Sequence, residues 1–236
     1  VAARMQRLLT DAAGSDSPMA REAAGAIETS LLAPGALDGA LENEPLEDWR
    51  PDTRNKLEVQ LHMVARLIAA RETLGHQRQL FFVRMGGWDT HSNQNERQPL
   101  LFDALEGALA PFQATLDERG LADSVTSFTA SDFGRTLAGN GNGTDHGWGG
   151  HAFVFGGAVD GGRVIGETPS YAVRDNPDDA GEDDGSFAGR IIPKISVTQY
   201  AATLSRWMGM DEADITRAMP DLANFADTDL GLFGNA

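Results

Sequence analysis

The chain has 236 residues, 41% of them hydrophobic, no cysteine and a net charge of -16 at pH 7. That length favours one large domain, and the lack of cysteine excludes disulfides, thiolate metal sites and cysteine nucleophiles. So negative a field repels phosphate backbones, which removes nucleic acid from the expected partners; no apolar run reaches the roughly 18 residues that a membrane span needs.

The first residues, Val1 to Arg4, carry neither a Met nor the basic start and apolar run of a signal peptide, so removal of the true N-terminus by processing or truncation is expected. Residues 1–31 are Ala-rich and helical in pattern, broken at Gly14–Pro18. A loop follows, punctuated by Pro34, Gly35, Gly39, Pro45 and Pro51. Over 52–74, Leu57, Leu61, Val64 and Ile68 recur at helical spacing, with Gly75 as a stop. His62, one place off that stripe, and His76, at the helix end, read as structural histidines.

The period then changes. Residues 79–84 (Gln-Leu-Phe-Phe-Val-Arg) predict a short buried strand running into a glycine-loosened loop, Gly86 to His91. A second helix is expected over 97–118, closed by Gly120, then strands over 124–130 and 152–159. Between these strands lie Ser131–Thr136, a Gly/Asn loop over 139–143, and Thr144–His151. Residues 160–190 are irregular and acidic; the run 175–185 reads as a solvated loop. Ser196–Met208 predicts a helix capped by Ser196 or Thr198, and the remainder reads mostly as coil. Strand–helix–strand alternation predicts an α/β fold with a largely parallel sheet, whose ligands gather at the carboxyl ends of strands.

Three loops then carry the candidate chemistry. Asp89 and His91 are two apart, which in an extended segment places both side chains on one side. A carboxylate and an imidazole converging in this way suit zinc, with manganese and iron behind it. Asp132 follows a predicted strand, and Asp145, His146 and His151 follow the next loop, with glycines beside each. Arg135 is placed either to hold an oxyanion bidentately or to pin a carboxylate ligand from behind. Ser131 and Thr144 adjoin these positions but read more naturally as structural hydroxyls.

Four blocks, Gly-Gly-Trp-Asp-Thr-His (86–91), Ser-Asp-Phe-Gly-Arg-Thr (131–136), residues 143–151 and residues 192–204, together resemble domain-of-unknown-function family 1501. The resemblance spans roughly 50–225. It implies a sulfatase-like branch of the alkaline-phosphatase superfamily: a doubly wound α/β sandwich binding one or two divalent metals, exported to the periplasm or beyond. On that likeness Asp89, His91 and His146 match one metal site and Asp132 the second, with Asp145 or His151 nearby. Phe133 stands where the superfamily usually has His, and a register using Asp145–His146 as the Asp-His pair fits the letters better. The superfamily's first metal-binding Asp and its nucleophile follow its first strand, and nothing in 1–50 has that pattern. The expected fold therefore lacks its N-terminal strand or strands, with 1–50 as lead-in, 51–225 as the α/β domain and 226–236 as tail.

The function this implies is metal-dependent hydrolysis of small phosphate or sulfate esters, or the metal-binding part of such an enzyme. Zinc comes first as cofactor, ahead of manganese, iron or calcium, and Arg135 is the residue stabilising developing charge. The alternative is an exported binding or scaffold protein that keeps the fold without turnover.

Overall fold

The computed structural model describes residues 37–173 and 189–234, with a few isolated positions between 10 and 35. The helical lead-in over 1–31 and the acidic run over 175–185 fall mostly or wholly outside the described residues. The chain divides into two compact units: residues 1–51 with 62–82, and residues 52–61 with 83–236.

In the first unit a helical stretch at 37–42 buries Ala40 and Leu41. The Leu41 carbonyl accepts from Arg66 Nη2 at 2.6 Å. Trp49 is buried and meets the His62 ring edge-on at 5.1 Å. His62 is therefore an aromatic packing partner, as its place in the sequence suggests. His76 Nδ1 pairs with Gln79 Nε2 at 3.0 Å.

Helix α1 (Lys56–Ala69) contributes residues to both units, and the stripe that predicts it is buried throughout: Leu57, Leu61, Val64 and Ile68. Its start is fixed by Asn55, whose side-chain oxygen accepts from the Leu57 and Glu58 amides while its Nδ2 donates to the Ala104 carbonyl at 2.7 Å.

In the second unit α2 (Gln94–Glu118) buries Ala108, Phe112 and Leu116. It begins after Asn93, which adopts a left-handed φ of 53° that Asn tolerates better than most side chains. Helix α3 (Val197–Trp207) is capped by Ser196, one of the two caps the sequence offers, in a capping box closed reciprocally by Gln199. Helix α4 (Glu212–Ala218) stands where the sequence reads as coil. Its signal is Asp211, whose carboxylate accepts from the Asp214 amide at 2.8 Å. Ala202, Ile215 and Leu222 form a buried cluster with Met219 against it.

The strands overturn the predicted fold class. Among the described residues there are two small antiparallel sheets of two strands each, and no largely parallel sandwich. One pairs β1 (Ser127–Phe128) with β4 (Val154–Phe155). The other is a hairpin of β2 (Gly134–Gly139) and β3 (Thr144–Gly147), joined by Asn140–Gly143. Alternation of apolar and polar segments marks extended chain but does not say which neighbour supplies the hydrogen bonds, and pairing alone makes a sheet. Asn-Gly between extended segments is itself a hairpin signal.

Residues 79–84 show this most plainly. They form no ladder; Leu80 is 78% and Phe82 91% exposed. The Gln60 amide takes both backbone groups of Arg84, donating to its carbonyl at 3.0 Å and accepting from its N–H at 2.9 Å.

Two outcomes follow. Leu61→Ala should destabilise by about 2–5 kcal/mol through loss of burial and a residual cavity, whereas Phe82→Ser should stay within about 0.5 kcal/mol, both read by urea unfolding. Tyr200, whose hydroxyl donates to the Thr129 carbonyl at 3.3 Å, has its phenol pushed by burial from 10.0 up to about 12. The shift is upward, so the neutral phenol's contribution is fully present below pH 10 and is lost as pH rises through about 12. In a Tyr171→Phe protein the native phenolate absorbance should titrate near that upper value; a midpoint near 10 would show an unburied ring.

Candidate metal centre

The site lies wholly in the second unit, where the hairpin tip meets the segment between residue 88 and α2. Gly143 permits that meeting: a Cβ there would overlap the backbone of Thr90 and His91. Three hydrogen bonds hold the contact. The Gln94 amide donates to the Asn142 carbonyl at 3.0 Å, Asn142 Nδ2 to Asn93 Oδ1 at 3.0 Å, and Thr144 Oγ1 to Gln94 Oε1 at 2.7 Å. Gly134 serves the same purpose at the far end of the hairpin, since a Cβ there would strike the Gly149 carbonyl. Between them the register sets Arg135 opposite His146, and it slips before Gly139 is reached opposite Thr144. Across the slip the Asp145 amide donates to the Thr136 hydroxyl at 3.1 Å in place of a carbonyl.

This approach gathers five of the residues that the sequence singles out. Asp89 Oδ1 lies 2.8 Å from His146 Nε2 and 3.0 Å from His91 Nε2, and the two imidazole nitrogens are 3.2 Å apart. Asp89, His91 and His146 form the one group of three or more such side chains, among the described residues, whose donor atoms all fall within 4.8 Å. Asp145 stands behind it: its Oδ1 faces His91 Nδ1 at 3.1 Å and accepts from Asn140 Nδ2 at 2.8 Å. Arg135 donates through Nη2 to Asp89 Oδ1 at 3.1 Å and to the Trp88 carbonyl at 2.7 Å, and through Nη1 to the Thr144 carbonyl at 2.8 Å. Its guanidinium therefore ties the two segments together. Asp132 and His151 are exposed and stand outside this group.

Electrostatics keep both carboxylates ionised. Asp89 is held below its ordinary range chiefly by the hydrogen bond from His146, with the nearby His91 and a hydrogen bond from Arg135 assisting. Asp145 is lowered first by the Asn140 amide and then by His91.

The donor set fits a divalent cation. Metal–ligand bonds of about 2.0–2.2 Å place neighbouring donors roughly 3–3.5 Å apart, close to the three separations here. Two imidazoles and one carboxylate with an open side match catalytic zinc and non-haem iron alike. The three side chains are 48–56% exposed, so that open side faces solvent. His91 adds a further argument. With its Nδ1 proton directed to Asp145, a neutral ring presents a bare lone pair at Nε2. That lone pair faces the Asp89 oxygen and the second imidazole, an arrangement that a cation resolves.

A family model described as Protein of unknown function (DUF1501) matches residues 5–219. The chain belongs to this family. No curated protein and no solved structure matched it. In this DUF1501 chain the site also draws on residues that sequence reasoning passes over. Asn140 is legible in retrospect from the Asn/Gly loop, whose Gly143 the sequence marks as a glycine allowing close backbone approach. Arg190, whose Nε donates to the His146 carbonyl at 3.3 Å, carries no local signal. Phe133, noted in the sequence only as a non-ligand, stacks on His146.

Gly143→Ala should destabilise by about 1–3 kcal/mol, because the hairpin tip must withdraw from backbone rather than from a flexible side chain. Thermal unfolding checks it; an unchanged midpoint would mean that the two segments are not in contact.

Proposed function

We propose that Asp89, His91 and His146 hold one divalent cation, zinc in the first place, and that the centre hydrolyses a small phosphate or sulfate ester. The observation that carries this reading is the convergence of two imidazole nitrogens on one carboxylate oxygen, one of them already committed through its Nδ1. A bound divalent ion supplies Lewis acidity to the ester oxygen and lowers the pKa of a water beside it.

The chain's own residues supply the rest. Asp145, steadied by Asn140, sets the tautomer of His91 and aims its Nε2. Arg135 orients the Asp89 carboxylate. Arg190, on the His146 side, brings positive charge to a chain that is otherwise strongly acidic, as an anionic substrate requires. Ser131 Oγ donates to the Phe133 carbonyl at 3.0 Å and Thr144 Oγ1 to Gln94, so water is the better-placed nucleophile. The four sequence blocks resemble the DUF1501 family, and reading that family as a sulfatase-like branch suggests the same ester class and an exported location. No described helix is long and apolar enough to cross a membrane.

The second reading is an exported binding or scaffold protein with a structural metal. It is favoured by the absence, among the described residues, of a second ligand group for a paired ion.

Protein purified without chelator should carry about one equivalent of metal by plasma mass spectrometry, lost in His91→Ala and His146→Ala. Aryl phosphates and aryl sulfates should then be hydrolysed only by the loaded wild type. Metal without hydrolysis would select the second reading, and no metal would overturn both. Asp145→Asn should weaken zinc binding by about 10–100-fold in a chelator competition, because the amide no longer fixes the His91 tautomer.

A further inference from the structure

We propose that Phe133 positions His146 for the cation, an inference that rests on the metal reading above. The two imidazoles are held by different means. His91 is steered through its Nδ1 by Asp145. His146 bonds only through Nε2, and its Nδ1 has no hydrogen-bond partner among the described residues. What its ring meets instead is the Phe133 face, with centroids 4.0 Å apart and planes 7° from parallel. Arg135 places its guanidinium carbon 4.9 Å from the centroid of the same ring. One side chain therefore touches both the ligand imidazole and the cation that pins the ligand carboxylate.

The register explains the contact. Gly134 pairs with Gly147 and Arg135 with His146, so residue 133 lies diagonally across from 146, within the reach of an aromatic side chain. The χ2 torsion of histidine is broad. An imidazole without a hydrogen bond at its far nitrogen would swing about that torsion and carry Nε2 away from Asp89. A parallel ring at van der Waals distance blocks the swing and leaves Nε2 aimed at the shared point. Phenylalanine has no donor atom of its own, so its part is orientation alone; it is a positioning residue.

The test compares Phe133→Leu, which keeps the apolar bulk but removes the plane, with Phe133→Tyr, which keeps the plane. Zinc affinity is read by competition with a chromophoric chelator, and geometry by the absorption spectrum of the cobalt-substituted protein. Phe133→Leu should bind zinc about 10-fold or more weakly and shift the cobalt bands, whereas Phe133→Tyr should keep both. In metal-free protein, the His146 ring-proton resonances should lose their ring-current displacement in Phe133→Leu. Wild-type affinity and an unchanged cobalt spectrum in Phe133→Leu, with His146→Ala inert, would overturn this inference alone. A wild type that takes up no zinc would overturn the metal reading and this inference with it. Should Phe133→Leu fail to fold, Phe133→Met carries the same comparison.

Discussion

The centre depends on one close approach of backbone to backbone. The hairpin tip at Gly143 lies directly against Thr90 and His91, where no side chain could fit. Around that contact Asn93, Gln94, Asn142 and Thr144 bond across the seam, and Arg135 reaches through to the Trp88 carbonyl. None of these bonds uses a ligand atom. Residues more than fifty positions apart in the chain are thus brought to hydrogen-bonding distance by contacts that involve none of the candidate donor atoms. Such preorganisation holds the candidate donor atoms close together, which an unsupported loop would not do.

Charge follows from that geometry. Two carboxylates lie beside two imidazoles in a chain already strongly acidic. Arg135 offsets part of that charge from its half-buried position, and Asn140 does so with a dipole rather than a charge. The two histidines are secured unequally, one by a hydrogen-bonded carboxylate and the other by an aromatic face. A site built in this way has one electrostatic and one steric support, and each fails for its own physical reason.

Much of the centre was legible from residue type and spacing. Asp89 and His91, two apart, converge across a tight turn in which the Thr90 amide bonds the Trp88 carbonyl, and Asp145, His146 and Arg135 join them from the next motifs. The roles were less legible than the membership. Asp145 reads as a ligand in the sequence and stands behind one in the structure. Arg135 is open to two roles in the sequence; in the structure two of its bonds reach Asp89 and Trp88 in the facing segment and one the Thr144 carbonyl of its own hairpin. Phe133, a mismatch to the expected pattern, gains meaning only from the ring beside it. Asp132 has a suggestive place in the motif but stays exposed, outside the group.

The fold divides along the same line. Local information set the helices: the stripe of α1, the capping box of α3, and the unnoticed Asp211 cap of α4. Those signals act within one or two turns of a single segment, so composition and spacing determine them. Strand pairing is decided by whichever segment comes alongside, and here the sheets proved small and antiparallel while 79–84, apolar as it is, found no ladder. The sequence by itself determined which donor atoms exist and that any cation site must do without thiolates. Only the tertiary structure decided which of those donors meet, because their meeting turns on a missing Cβ at Gly143 and a hairpin register that no single segment encodes.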